Sequence, residues 1–193
     1  MPFLESAFAD RVTTTGTSDV RDLAVDDTAR RRCEEACGGA LECLAECTGV
    51  SLDVYLSNSL PASLLMGHTT SMRQGEVQND RLQISAAIAL DIGAGRVVIG
   101  DVIDLSGQPA RRVFVASFET RTLTIYDPGA GAIEARILTG RGPSAVAVDS
   151  TNALAYVTHF TDSYIGVVDL DKRHATFGTI IRALGEPTPP RGD

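Results

Sequence analysis

Arg112-Val-Phe-Val-Ala-Ser-Phe118 and Leu154-Ala-Tyr-Val-Thr-His-Phe160 are one strand pattern written twice, and each is followed after a short turn by a second matched run. Those runs are Leu123-Thr-Ile-Tyr-Asp127 and Ile165-Gly-Val-Val-Asp169. Phe114 aligns with Tyr156, Phe118 with Phe160, Leu123 with Ile165 and Asp127 with Asp169, each pair 42 residues apart. A fixed period of that size marks a repeat architecture in which one supersecondary unit recurs.

Outward from these runs, each copy resolves into four short segments bounded by Gly, Pro, Asp, Asn or Ser, the pattern of successive hairpins. The last copy reads Ser144 to Asp149, Leu154 to Phe160, Ser163 to Asp169 and Thr176 to Leu184. The copy before it reads Arg96 to Leu105, Arg111 to Phe118, Arg121 to Asp127 and Ala132 to Leu138. A third, degenerate copy lies upstream, where Asp22-Leu-Ala-Val-Asp26 echoes Ala145-Val-Ala-Val-Asp149. Its later strands are expected at Asp53 to Asn58, Ser63 to Thr70 and Leu82 to Asp91, with an insertion from Asp27 to Gly49 and a polar loop from Ser71 to Asp80. Four antiparallel strands in about 40 to 45 residues is the period of a propeller blade; a plain antiparallel sandwich would share the alternation but not the matched register. The expected fold is all-β: about three four-stranded antiparallel blades of an incomplete β-propeller, with a small disulfide-linked α-hairpin insertion. Residues 1–18 form an irregular N-terminal segment, 19–95 a degenerate blade with the hairpin insertion at 27–49, 96–142 a second blade, and 143–193 a third blade and C-terminal tail.

Apolar residues make up 44 % and aromatic residues 5 % of the 193, with no Trp. Sheets packed by β-branched side chains suit that profile. The formal charge is −8, and the one basic run, Arg30-Arg31-Arg32, has acidic neighbours. A phosphate backbone would be repelled, so no nucleic-acid partner is expected. No stretch reaches the ~20 apolar residues of a membrane helix, and no direct membrane insertion is expected.

Cys33, Cys37, Cys43 and Cys47 have the spacing C-x3-C-x5-C-x3-C around Gly38-Gly39, with helix formers on both sides. A spacing of four puts two cysteines on one face of each helix, and a Gly-Gly turn would fold the helices into an αα-hairpin with those faces apposed. Four cysteines admit three connectivities. Geometry favours the nested one, Cys33 with Cys47 and Cys37 with Cys43, which keeps both Cα separations within disulfide range. A tetrahedral zinc or iron–sulfur site is the alternative, although structural zinc usually takes C-x2-4-C with a longer intervening loop. Disulfides imply an oxidising compartment.

Candidates for chemistry are few. His68, His159 and His174 are the three histidines, and none sits at a ligand or triad spacing. His68 and His159 are the weak metal candidates; the plainer reading gives His159 a turn hydrogen bond and leaves His174 solvated. Asp26, Asp91, Asp127, Asp149 and Asp169 each end a strand. Aligned carboxylates could bind a cation or act as acid and base, but a strand-ending Asp also accepts backbone N–H bonds in the following turn. No catalytic residue and no cofactor is assigned.

Phe114-Val-Ala-Ser and Tyr156-Val-Thr-His, each followed by an Asp-ending strand, and Tyr55-Leu-Ser-Asn resemble the YVTN β-propeller repeat family. The match is strong from about Arg96 to Leu184 and weaker from Asp22 to Asp91; the fourth motif position is Ser117, His159 and Asn58 in the three copies. The ending Gly185-Glu-Pro-Thr-Pro-Pro190 looks like the C-terminal part of a bacterial envelope or secreted propeller protein, and such proteins are often lipid-anchored. The resemblance implies an extracytoplasmic location, although Met1 to Asp10 lacks the basic start and apolar core of a signal peptide. It also implies a ring of about four to eight blades, so the chain is expected to be a fragment of a larger protein or to pair with further blades supplied by another chain. Two functions follow from it. One is a non-enzymatic binding or scaffold module with a protein or glycan partner; the other is a metal-dependent, lactonase-like propeller hydrolase or a cofactor-binding propeller with a central-channel site.

Overall fold

The computed structural model of the chain describes residues 19–74 and 77–186. The expected irregular segment 1–18 and the Pro-rich tail from residue 187 lie outside the described residues. Three four-stranded antiparallel sheets account for nearly all regular structure, and each is a meander of consecutive strands. The first contains β1 (Val20–Asp26), β2 (Asp53–Ser59), β3 (Ala62–Gln74) and β4 (Val77–Ala89). The second contains β5 (Ala94–Ile103), β6 (Pro109–Ser117), β7 (Thr122–Asp127) and β8 (Ala132–Leu138). The third contains β9 (Pro143–Asp149), β10 (Leu154–His159), β11 (Tyr164–Asp169) and β12 (Ile180–Leu184). Two short helices, α1 (Thr28–Ala36) and α2 (Leu41–Cys47), are inserted between β1 and β2. The sheets form an open array and do not close on themselves.

Strand boundaries differ from those expected at several points, β5 for example ending at Ile103 rather than Leu105. The polar stretch Ser71 to Asp80 is not a loop between strands: β3 and β4 continue through it as a long hairpin, with Ser71 opposite Asp80 and Gln74 opposite Val77. No Gly or Pro interrupts Thr69 to Gln74, and a hairpin standing beyond its sheet needs no apolar face, so alternation gave no sign of it. The last strand begins at Ile180 rather than Thr176, because Thr176 to Thr179 is spent on turns that bring the Gly178 N–H to the Asp169 carbonyl at 2.9 Å. The second sheet begins at Ala94, two residues before Arg96.

Strand alternation gives each sheet a rear face toward the preceding sheet and a front face toward the next. Between the first and second sheets, Ala24, Tyr55, Leu64, Met66 and Ile88 pack against Val97, Ile99, Val113, Val115 and Tyr126. Between the second and third, Phe114, Ala116, Leu123 and Ile125 pack against Val146, Ala155, Val157 and Val168. The first strands are neighbours, β1 against β5 and β5 against β9. At the latter contact a Cβ on Gly100 would meet the Val148 side chain at 2.4 Å, so only glycine lets these strands approach. Polar ties cross both junctions. Val97 N–H donates to Asp22 at 3.0 Å, and Asp101 N–H donates to the Ser150 hydroxyl at 3.0 Å. Lys172 pairs with Glu134, which also holds the buried Arg112 at 2.6 Å.

The repeat is visible in the backbone as well. Arg121 and Ser163, again 42 residues apart, both take left-handed conformations, with φ 58° and 56° at the turns leading into β7 and β11.

Candidate functional site

The fourth motif position, at the end of the second strand, has a definable task in the first and third sheets. Asn58, fully buried, accepts the Asp19 N–H on Oδ1 at 3.2 Å and donates from Nδ2 to the Pro61 carbonyl at 2.6 Å. His159 does the same with a ring: Nε2 accepts the Gly140 N–H at 3.0 Å, and Nδ1 faces the Tyr164 carbonyl at 3.3 Å. Each side chain thereby ties the chain that leads into the sheet's first strand to the turn after its second. The imidazole also stacks on Tyr164, ring centroids 4.3 Å apart. Burial lowers the His159 pKa, against the opposing influence of the Tyr164 carbonyl and Asp162. In the second sheet the equivalent is Ser117, whose buried hydroxyl has no protein partner.

His159 thus spends both ring nitrogens on backbone groups, Nε2 as acceptor and Nδ1 as donor, and neither is left for a metal. Beside it, Asp162 accepts both the N–H and the Nε–H of Arg141, each at 2.6 Å. Burial would raise this carboxyl, but the Arg141 bonds and charge outweigh it and hold it below the ordinary range.

The strand-ending carboxylates are engaged in their own turns. Asp127 accepts from Gly129 and Ala130 N–H at 2.8 and 3.1 Å, Asp149 from Thr151 and Asn152 at 3.1 Å, Asp169 from Asp171 at 3.0 Å, and Asp26 from Thr28 at 3.0 Å. Asp91, expected to end a strand, lies two residues beyond the end of β4 at Ala89 and accepts the Thr122 hydroxyl at 2.8 Å. His174 is exposed, with Nδ1 3.0 Å from Asp169.

The cysteines lie in the helical insertion, where disulfides join Cys33 to Cys47 and Cys37 to Cys43 with Cα separations of 5.7 and 5.5 Å. The turn between the helices uses Gly38 and Gly39 at φ 55° and 92°, a conformation open to residues without a Cβ. No residue of α1 is buried, and in α2 only Cys47 is. Packing therefore contributes little to holding this hairpin, and the sulfur bridges carry that role.

Where the hairpin rejoins the sheets, a cleft of about 370 Å³ opens between the ends of the first and second sheets, with Asp26, Arg32, Asp53, Asp101 and Arg111 on its walls. Arg111 lies 3.0 Å from Asp101 and 3.6 Å from Asp26, and it donates to the Thr28 hydroxyl at 3.1 Å. Burial would raise the Asp26 carboxyl; bonds from Thr28 and the Arg111 and Arg31 charges bring it below its ordinary value. Burial and the nearby Asp53 and Asp26 push the phenol of Tyr55 up to about 12. The arrangement offers two guanidinium groups, Arg32 and Arg111, among carboxylates, with hydroxyls of Thr28 and Ser51 at the wall, which suits hydrogen-bonding recognition of a polar surface. At the opposite end of the same two sheets a second cleft of about 430 Å³ is lined by Asp19, Arg21, Leu60, Ile92, Phe118 and Glu119, among others.

His68 sits in β3 opposite Asp53 of β2, far along the fold from His159 in the third sheet. Among the described residues, the one group of three or more Cys, His, Asp or Glu side chains with ligand atoms within 4.8 Å of one another is Cys33, Cys37 and Cys47, all bonded in disulfides. The tie made by Asn58 and His159 was open to sequence reasoning only as a side-chain type in a motif position. The cleft at Arg111 was not, since its walls come from residues 26 to 111 and no local spacing joins them. No protein-family model matches this chain, and no curated protein matches it.

Proposed function

We propose that the three sheets are blades of a β-propeller and that the protein is a non-enzymatic binding or scaffold module, working in the periplasm, at the outer surface or in the secreted fraction. The presentation surface is the disulfide-linked hairpin and the polar cleft at its base, and the ligand is a protein or a glycan. One observation carries this reading: an exposed hairpin, held by two bridges rather than by a core, stands over a cleft rich in hydrogen-bonding groups. Loops displayed by a rigid scaffold are where binding residues concentrate. The two disulfides point to an oxidising environment, and no described helix is long and apolar enough to cross a membrane. The contacts of β1 with β5 and β5 with β9 support the blade reading, since first strands meet around the axis of a propeller.

The test is a glycan array and a panel of purified envelope proteins, probed with the oxidised protein and with a variant in which residues 28–49 are replaced by a short Gly-Ser linker. Saturable binding that disappears with the hairpin supports the proposal. Turnover of lactones by metal-supplemented protein, abolished by His68→Ala or His159→Ala, would overturn it in favour of a hydrolase.

A further inference from the structure

Both ends of the three-sheet array expose some of the counterparts of residues that are buried at its two internal junctions, although Val167, the counterpart of Ile125, is itself buried. On the front face of the third sheet, Tyr156 and Ile165 occupy the repeat positions of Phe114 and Leu123, which are fully buried against the sheet that follows them. Tyr156 and Ile165 are half-buried, with Ala147 exposed beside them. On the rear face of the first sheet, strand pairing puts Leu23 opposite Leu56 and Val25 opposite Val54. The same pairing positions in the third sheet hold Val146 and Val148, which pack onto the second sheet. Leu23 and Val25 are 44 % and 42 % exposed, whereas Val146 is 9 % exposed. Val54, Leu56 and Leu65 on that rear face are already buried, so its free part is the inner strand β1.

We propose that a second copy of this chain docks head to tail, the front of the third sheet of each copy against β1 of the other. The inference rests on the reading of the sheets as blades. The contact repeats an interface the molecule already makes twice, front of one sheet against rear of the next, so its chemistry is set: aromatic and branched side chains on one side, aliphatic side chains of an inner strand on the other. Such a contact is heterologous, and it must close a ring or grow into a filament. Propellers close with about four to eight blades, and two copies of the three sheets seen among the described residues would supply six. Two identical junctions then cover both open ends at once, which removes the exposed apolar faces that would otherwise favour aggregation.

Light scattering on the oxidised protein after size exclusion reads the outcome directly. The expected mass is twice the 20.4 kDa of one chain. Leu23→Asp on one face and Ile165→Asp on the other should each halve that mass, with circular dichroism confirming retained sheet. A monomer at every concentration reached overturns the proposal and assigns the face to blades of a different polypeptide. A dimer broken by Ile165→Asp but indifferent to Leu23→Asp overturns the head-to-tail arrangement in favour of a front-to-front one. As a check that does not depend on destabilising a face, the double variant Val25→Cys, Asp149→Cys, at the positions that match Val148 and Gly100 in the existing contact of β9 with β5, should form a covalent dimer on a non-reducing gel, and neither single variant should; no covalent dimer from the folded double variant counts against the contact. Ligand binding at the hairpin is read separately, so a monomer that still binds glycan or protein leaves the functional proposal standing.

Discussion

The backbone N–H of Gly140 donates to Nε2 of His159 at 3.0 Å, and this bond requires the imidazole to be neutral. A proton on Nε2 would remove the acceptor, so the ring proton belongs on Nδ1, toward the Tyr164 carbonyl. Burial lowers the pKa of His159 in the folded chain. An unfolded histidine titrates near about 6.5, so the unfolded state binds this proton more readily than the folded one. The stability that follows is fully present above that value and is lost as pH falls through it toward the depressed folded pKa. The denaturant midpoint should therefore decline more steeply below about pH 6.5 in the natural protein than in His159→Asn. That variant installs the residue type that makes the equivalent tie at Asn58, so it should fold. Identical pH profiles for the two proteins would remove His159 as the cause.

Reducing the two disulfides should unfold the helical hairpin and leave the sheets in place. α1 and α2 are nine and seven residues long, below the roughly 12 to 15 residues at which isolated helices become even marginal in water. Their buried surface is confined to Cys47. Hydrogen exchange after reduction should show amides of 28–47 losing protection while β5 to β11 keep theirs. Thiol titration of the unreduced protein in denaturant should find no free thiol. Loss of protection throughout the second sheet on reduction would mean that the hairpin supports the core after all.

The second and third sheets were largely legible in the sequence because matched pairs such as Phe114 and Tyr156, or Leu123 and Ile165, state both strand and face at once. Alternation of period two is a strong signal wherever one face is buried. All four strands of the first sheet were legible, but not the length to which the outer two extend. Thr69 to Asp80 is mostly polar in sequence, with Met72 and Val77 the apolar side chains, and nothing in such a run separates an extended hairpin from a loop. The pairing of the cysteines was readable because two helix faces and a Gly-Gly turn leave little geometric choice. The polar tie of His159 was readable only as a turn hydrogen bond, since its partner Gly140 lies 19 residues away across two strands. The cleft beside Arg111 depends on residues brought together from different sheets, and such convergence leaves no mark on local spacing.

Gly100 should be among the least replaceable residues of the second sheet. A Cβ there would stand 2.4 Å from Cγ1 and 2.6 Å from Cβ of Val148, a branched side chain with little freedom to move aside. Gly100→Ala forces β5 away from β9, and overpacking of this kind costs about 1 to 3 kcal/mol. In a Val148→Gly background, which lacks both contacting atoms, the same change should cost less. An equal cost in the two backgrounds, measured by chemical denaturation, would locate it elsewhere than this contact.

Arg121 and Ser163 hold the same left-handed conformation at the same point of the repeat, and neither is glycine. For a residue with a Cβ that conformation costs about 1 to 2 kcal/mol, whereas glycine adopts it freely at the expense of about 0.5 to 1 kcal/mol of extra freedom in the unfolded chain. The balance favours Arg121→Gly by roughly 0.5 kcal/mol. Arg121 is exposed, and the Thr139 N–H that its turn receives at 2.7 Å goes to the backbone carbonyl, which glycine retains. Arg121→Val should move stability the other way, because a β-branched side chain crowds this region most. Ser163→Gly should repeat the gain in the third sheet, and the double glycine variant should be additive, since the two turns belong to separate sheets. Urea denaturation of the four variants reads all of these signs. If Arg121→Gly is less stable than the natural protein while Arg121→Val is not, the turn is not strained and the common backbone of the two repeats has some other cause.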